Sequence, residues 1–112
     1  MASIEQGSIN LGPGTAIGVN VLPYSIVGNG RTVVAVAGTQ AALAGSTAVK
    51  TVTIRAFVSN TGLIYVGTTG VTSSNGFQLD ASETVSLDID NLSKIFLNAG
   101  VSGEGVSYIY LS

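Results

Sequence analysis

Histidine, cysteine and tryptophan are absent from this 112-residue chain, and charged side chains are scarce. Without histidine, the sequence lacks the side chain that most often transfers protons near neutral pH and that most often binds metals. Without cysteine, it has neither a disulfide framework nor a thiolate nucleophile. Few side chains suited to reaction chemistry are left. We therefore expect a protein that is not an enzyme and that uses no cofactor or metal.

Four basic and six acidic residues give a net charge of −2, and charged residues make up 9% of the chain. An ordinary soluble domain has about 25% charged residues. Ser, Thr, Asn and Gly must therefore cover much of the outside, and little net repulsion keeps copies apart. Two interpretations are open, a monomer with a neutral polar coat or a surface largely buried in an assembly. We favour the assembly.

The four basic residues, Arg31, Lys50, Arg55 and Lys94, are scattered along the chain. Nucleic-acid binding needs clustered positive charge to neutralise phosphates, and no such cluster is present. The longest apolar stretch, around residues 33–37, is far shorter than a membrane span. We expect neither nucleic acid nor a membrane as a partner.

Short alternating patterns dominate the chain from about residue 49 onward. Val52, Ile54, Ala56 and Val58 recur with a period of two, which predicts a strand with one buried face. Similar patterns, separated by turn residues, lie at residues 63–67, 77–79, 85–89, 94–98 and 106–111. Strands at such regular spacing predict an all-β fold, an antiparallel sandwich or barrel.

The N-terminal part is rich in glycine and nearly uncharged after Glu5. Pro13 and Pro23 each interrupt a regular element, and the alternation of Ile17, Val19 and Val21 predicts a strand. We predict a single β-domain over residues 1–112, with an extended arm at 1–15 and a sandwich at 16–112. For residues 39–44 a helical turn and a loop with a short strand are equally compatible with the pattern.

Acidic residues form two pairs that are candidate reactive sites. Asp80 and Glu83 share one predicted turn, and Asp88 and Asp90 share one strand face, about 7 Å apart by strand geometry. Such a pair fits a glycosidase dyad or a weak Ca²⁺ site. No aromatic-lined cleft accompanies them and no known Ca²⁺ loop spacing is matched. We favour a solvated face without a catalytic or metal role.

The C-terminal strand is apolar on both faces. Tyr108 and Tyr110 share one face with Val106, and Ile109 and Leu111 occupy the other. Such a strand is expected to be buried twice, once in the core and once against another surface. That surface is either a neighbouring subunit or the N-terminal arm of the same chain, and we favour the subunit.

Several motifs of residues 63–111 resemble a segment common in small structural proteins of tailed bacteriophages. They are I-Y-V-G at residues 64–67, N-G-F-x-L at 75–79, the turn and strand from Glu83, D-N-L-S-K-I-F at 90–96 and the closing G-V-S-Y-I-Y-L. The resemblance implies a jelly-roll-like sandwich that assembles as a homotrimer. It also implies a place in the virion, with assembly in the cytoplasm of the bacterial host.

From this resemblance we expect a capsid decoration (cement) protein that binds the major capsid protein on the outside of the head. The residues expected at the capsid and subunit interfaces are Ile4, Ile9, Leu11, Ile17, Val19, Tyr108 and Tyr110. The alternative is a receptor-binding or fibre module of the virion, which would hold a host glycan with the loops at residues 68–76 and 100–105.

Overall fold

The computed structural model describes residues 24–112, which form an all-β domain. The predicted arm at residues 1–15 and the predicted strand around residues 17–21 lie outside this range. A short 3-10 helix, Leu92–Lys94, follows the sixth described strand. The strands are β1 (Val27–Val34), β2 (Ala41–Ala42), β3 (Thr51–Ala56), β4 (Ile64–Gly67), β5 (Phe77–Leu79), β6 (Thr84–Asp88), β7 (Phe96–Ala99) and β8 (Glu104–Leu111).

Two four-stranded sheets pack face to face. The first sheet has the order β1-β8-β3-β6, and the second has the order β2-β7-β4-β5. All neighbouring strands are antiparallel. The predicted antiparallel β-sandwich is therefore confirmed.

The core lies between the sheets and follows the predicted alternation. On β3, Val52, Ile54 and Ala56 are buried, whereas Arg55 between the last two is exposed. Burying a large aliphatic side chain contributes about 1.5–3 kcal/mol, so this one face holds much of the stability. The largest fully buried side chains are Leu43, Ile54, Ile64, Leu79, Leu92, Leu97, Val34, Val52 and Val106.

Val58 departs from the predicted pattern. Strand β3 ends at Ala56, and a turn in which the Asn60 amide donates to the Phe57 carbonyl follows at once. Val58 is 78% exposed at this turn, so its predicted place on the buried face of the strand is wrong. Alternation in sequence continues past the end of a strand wherever a turn residue happens to be apolar.

Two ambiguous segments take definite forms. Residues 41–42 pair with β7 as a short strand, so the helical turn considered for residues 39–44 does not form. Lys94, predicted to begin a strand, instead ends the 3-10 helix, and β7 begins at Phe96. Asn91 caps this helix because its side-chain oxygen accepts from the Ser93 amide at 3.0 Å.

Candidate functional site

Large apolar side chains are exposed at several positions on the outward surface of the first sheet, which we call the outer face. Val27 on β1 is 67% exposed, and Val33 on β1 and Ile109 on β8 are each 50% exposed. Their strand neighbours Val34 and Val106 are fully buried on the opposite side, so the exposed three share the outer face. Nothing within residues 24–112 covers these side chains, which makes the outer face a candidate docking surface.

Further apolar side chains project from the loops at one end of the sandwich. Val34 pairs with Glu104, and Ala56 pairs with Val106, so β1 and β3 end where β8 begins. The connecting loops at this end expose large parts of Val36, Val58 and Val101. The apolar surface of the outer face is thus extended at this loop end.

Two arginines lie on the outer face, and Arg31 separates Val27 from Val33 along β1. Arg31 of β1 and Arg55 of β3 both pair with Ser107 of β8, so the two residues flank this small residue. The Arg31 guanidinium lies 4.3 Å from the centre of the Phe57 ring, and Arg55 Nε donates to the Ser82 carbonyl at 3.3 Å. Within residues 24–112 neither arginine forms an ion pair, so both charges are free to meet carboxylates of a partner.

Tyr108 and Tyr110 lie on the inner face of β8, half-buried against the core. Their rings are stacked, with centroids 6.4 Å apart and planes 24° from parallel. The rings cover Gly28 and Gly30 of β1, where a Cβ atom would overlap them. The Gly-x-Gly of β1 therefore makes room for two aromatic rings.

This placement gives Tyr108 and Tyr110 a packing role within the domain, and their predicted contact with a subunit or capsid stays a prediction. The opposite face of the same strand, which carries Ile109, is the exposed one. The other predicted interface residues lie outside the described residues; they are Ile4, Ile9, Leu11, Ile17 and Val19.

The two loops considered for glycan binding are held by hydrogen bonds of their own. In loop 68–76, the Asn75 side chain accepts from the Thr72 amide at 2.7 Å, and Val71 is buried. In loop 100–105, the Gly103 amide donates to the Val34 carbonyl at 2.8 Å. Phe77, at the margin of the first loop, is exposed but belongs to β5.

The acidic pairs are engaged locally. Glu83 Oε1 accepts from the Asp80 amide at 2.8 Å, which closes the predicted turn at residues 80–83. β6 ends at Asp88, and Asp90 lies beyond it, 2.8 Å from Lys94 Nζ. The hydrogen bond and positive charge of Lys94 lower the pKa of Asp90. Residues 24–112 hold no group of three or more acidic side chains placed to share a metal ion.

The sequence did not predict the roles of two buried asparagines, Asn98 and Asn60. Asn98 on β7 accepts from the Gly38 and Ala99 amides at 3.0 and 2.8 Å and donates to the Val71 carbonyl at 3.0 Å. Asn60 donates to the Gly105 carbonyl at 2.9 Å and accepts from its amide at 3.3 Å. A polar residue within the apolar run at residues 95–99 was the available signal for Asn98.

Glu104 joins the start of β8 to the turn at residues 61–62. Its carboxylate accepts from the Thr61 amide at 2.6 Å and the Gly62 amide at 2.9 Å. These backbone N–H groups lower the pKa of Glu104 because they stabilise the charged form. The carboxylate therefore stabilises the fold above its unfolded-state pKa, and this contribution is lost as the pH falls through the lowered folded-state value.

We expect Glu104→Gln to remove this pH dependence. Guanidinium denaturation midpoints of the unaltered chain should fall more steeply on acidification below about pH 4.5 than those of the variant. Glu83→Gln is the control, because Glu83 also accepts a backbone hydrogen bond but lies in a different turn. Parallel acid profiles for the unaltered chain and Glu104→Gln would contradict the assigned role.

No helix within residues 24–112 is long and apolar enough to cross a membrane. Neither a protein-family model nor a curated protein matches the chain. The candidate site therefore rests on the residues and their geometry, and the most prominent feature is the apolar outer face with its two arginines.

Proposed function

We propose that this chain is a phage capsid decoration protein that binds the outer surface of the head and stabilises it as a trimer. The observation that carries the proposal is the outer face, where Val27, Val33 and Ile109 are exposed and where Arg31 and Arg55 form no ion pair with any of residues 24–112. Exposed apolar side chains interspersed with positive charge suit a protein surface that offers apolar and acidic side chains.

The strand order supports the jelly-roll topology that the phage resemblance implies. A jelly roll is obtained when a long hairpin of paired strands folds over, so that the first strand pairs with the last and the pairing continues inward. The pairs β1 with β8, β2 with β7, β3 with β6 and β4 with β5 occur here. We infer a jelly-roll sandwich from this nested pairing.

Stabilisation of a head by such a protein follows from repetition. A standard protein interface buries about 800 Å² on each partner, which a sheet face with its adjoining loops can supply. A trimer that contacts several capsid subunits dissociates only when all of its contacts are broken together. Contacts that are weak singly therefore give lasting attachment. The apolar residues Ile4, Ile9 and Leu11 of the N-terminal part would add further buried area at neighbouring subunits.

The test is binding to purified expanded heads of the virus whose genome encodes this chain, after removal of the resident protein. We expect saturable binding at a fixed number of copies per head, measured by sedimentation of heads with labelled protein. Ile109→Asp should weaken binding at least tenfold, because it replaces an exposed apolar side chain of the outer face with a carboxylate.

Ser74→Asp is the matched control, since Ser74 is exposed in loop 68–76, away from the outer face. It should bind heads as the unaltered chain does. A failure of the unaltered chain to bind expanded heads would overturn the proposal. Binding to a host glycan without binding to heads would favour the receptor-binding alternative instead.

A further inference from the structure

An apolar groove opens between the two sheets at the edge formed by β5 and β6. Its cavity volume is about 520 Å³. Val66 and Ile95 form the buried floor, and Val85, Leu87 and Ile89 line one wall with their half-buried side chains. At this edge the core of the sandwich is open, as it would be if one strand were missing.

The backbone beside the groove is also available. β6 is the last strand of the first sheet and pairs only with β3 among residues 24–112. An edge strand presents a row of N–H and C=O groups to one side, and an added strand satisfies them. To fill the groove as well, that strand needs apolar side chains at every second position.

The sequence contains one uncharged segment of this kind outside the described residues. Ile17, Val19 and Val21 alternate with Gly18 and Asn20. Their period of two matches that of Val85, Leu87 and Ile89, so a strand added beside β6 would turn its three apolar side chains to the groove side. We propose that residues 17–21 of a second copy of this chain lie in the groove as a strand added beside β6.

The choice of a second copy follows from distance. The Ser25 amide donates a hydrogen bond to the Ser112 carbonyl at 2.7 Å. The chain therefore enters the sandwich at the β1 edge of the first sheet, opposite β6. A strand added beside β6 lies four strand spacings from β1, about 19 Å. The chain from Val21 to Ser25 spans at most about 14 Å when fully extended. Residues 17–21 of the same copy therefore cannot reach the groove, whereas the same segment of a neighbouring copy is not restricted by this distance.

Because the chain has no cysteine, introduced thiols report this contact without background. Val19→Cys in a tagged chain, refolded together with untagged Leu87→Cys, should give a disulfide-linked pair of tagged and untagged chains. Ser86→Cys is the matched control, because Ser86 directly precedes Leu87 in β6 and faces outward, away from the groove. Few tagged–untagged pairs should form with this control.

Each other outcome overturns the inference. A chain carrying both Val19→Cys and Leu87→Cys that closes within itself, with no linked pair, would place its own segment in the groove. Equal linkage with Ser86→Cys and Leu87→Cys, or none with either, would mean that the segment does not occupy the groove.

Charge placed in the segment gives a second measurement that needs no thiol. Val19→Asp should lower the oligomer mass in sedimentation velocity, since it puts a carboxylate into the apolar groove. Asn20→Asp should leave the mass unchanged, because residue 20 would face away. An unchanged mass for Val19→Asp would contradict the inference. Both experiments use the chain alone, so their outcome is independent of binding to phage heads.

Discussion

Gly105→Ala is expected to destabilise the fold by about 3 kcal/mol or more, the upper end of the cost of overpacking a core. Gly105 lies in β8 next to β1, and a Cβ atom there would overlap the Thr32 carbonyl oxygen and lie 2.8 Å from the Val33 Cα. Both neighbours are backbone atoms of a paired strand, so relief requires that β1 and β8 move apart. The same residue holds Asn60 through two hydrogen bonds, which the movement would also disturb.

Guanidinium denaturation followed by far-UV circular dichroism measures this loss, which is a large fraction of a typical 5–15 kcal/mol domain stability. Gly45→Ala is the control, because no atom lies within 4 Å of a Cβ atom built at Gly45. We expect that variant to unfold within about 1 kcal/mol of the unaltered chain. Equal midpoints for Gly105→Ala and Gly45→Ala would contradict the described packing of β1 on β8.

Asn98→Leu should cost about 3 kcal/mol, although leucine has nearly the same size and is more apolar. The substitution leaves the Val71 carbonyl without its side-chain donor and the Gly38 amide with only its longer hydrogen bond to the Ala99 carbonyl, at 3.3 Å. An unsatisfied buried group costs about 1–3 kcal/mol. Asn98 is 3% exposed, so water has little access to replace the lost hydrogen bonds.

The effect of Asn98→Leu is measured by thermal unfolding, with Asn29→Leu as the matched control. Asn29 is exposed on the outer face of β1, and its substitution should change stability by no more than about 0.5 kcal/mol. If Asn98→Leu melts at the temperature of the unaltered chain, Asn98 does not hold the loops at residues 38 and 71 in place.

The sandwich could be predicted from the sequence because its strands carry a clean period of two. Val52, Ile54 and Ala56 are buried as expected, and the turn at residues 80–83 forms as expected. Period alone does not show where a strand ends. For this reason the prediction that Val58 lies on the buried face of the strand was wrong. The same local pattern did not reveal that Lys94 belongs to a 3-10 helix.

The candidate surface was harder to predict because it depends on which strands become neighbours. Arg31 and Arg55 are distant in sequence, and only the pairing of β1 and β3 with β8 brings them to the two sides of Ser107. The role of Gly28 and Gly30 likewise depends on the tyrosine rings of β8, which the sequence places far away. Contacts of this kind follow from register, which no short motif encodes.

Sedimentation velocity of the intact chain at micromolar concentration tests most directly whether its charge-poor exterior is covered by other copies. We expect a species of three times the 11.2 kDa chain mass. That species should persist at 0.5 M salt, because apolar burial rather than ion pairing holds it together. A stable monomer at this concentration would contradict the account.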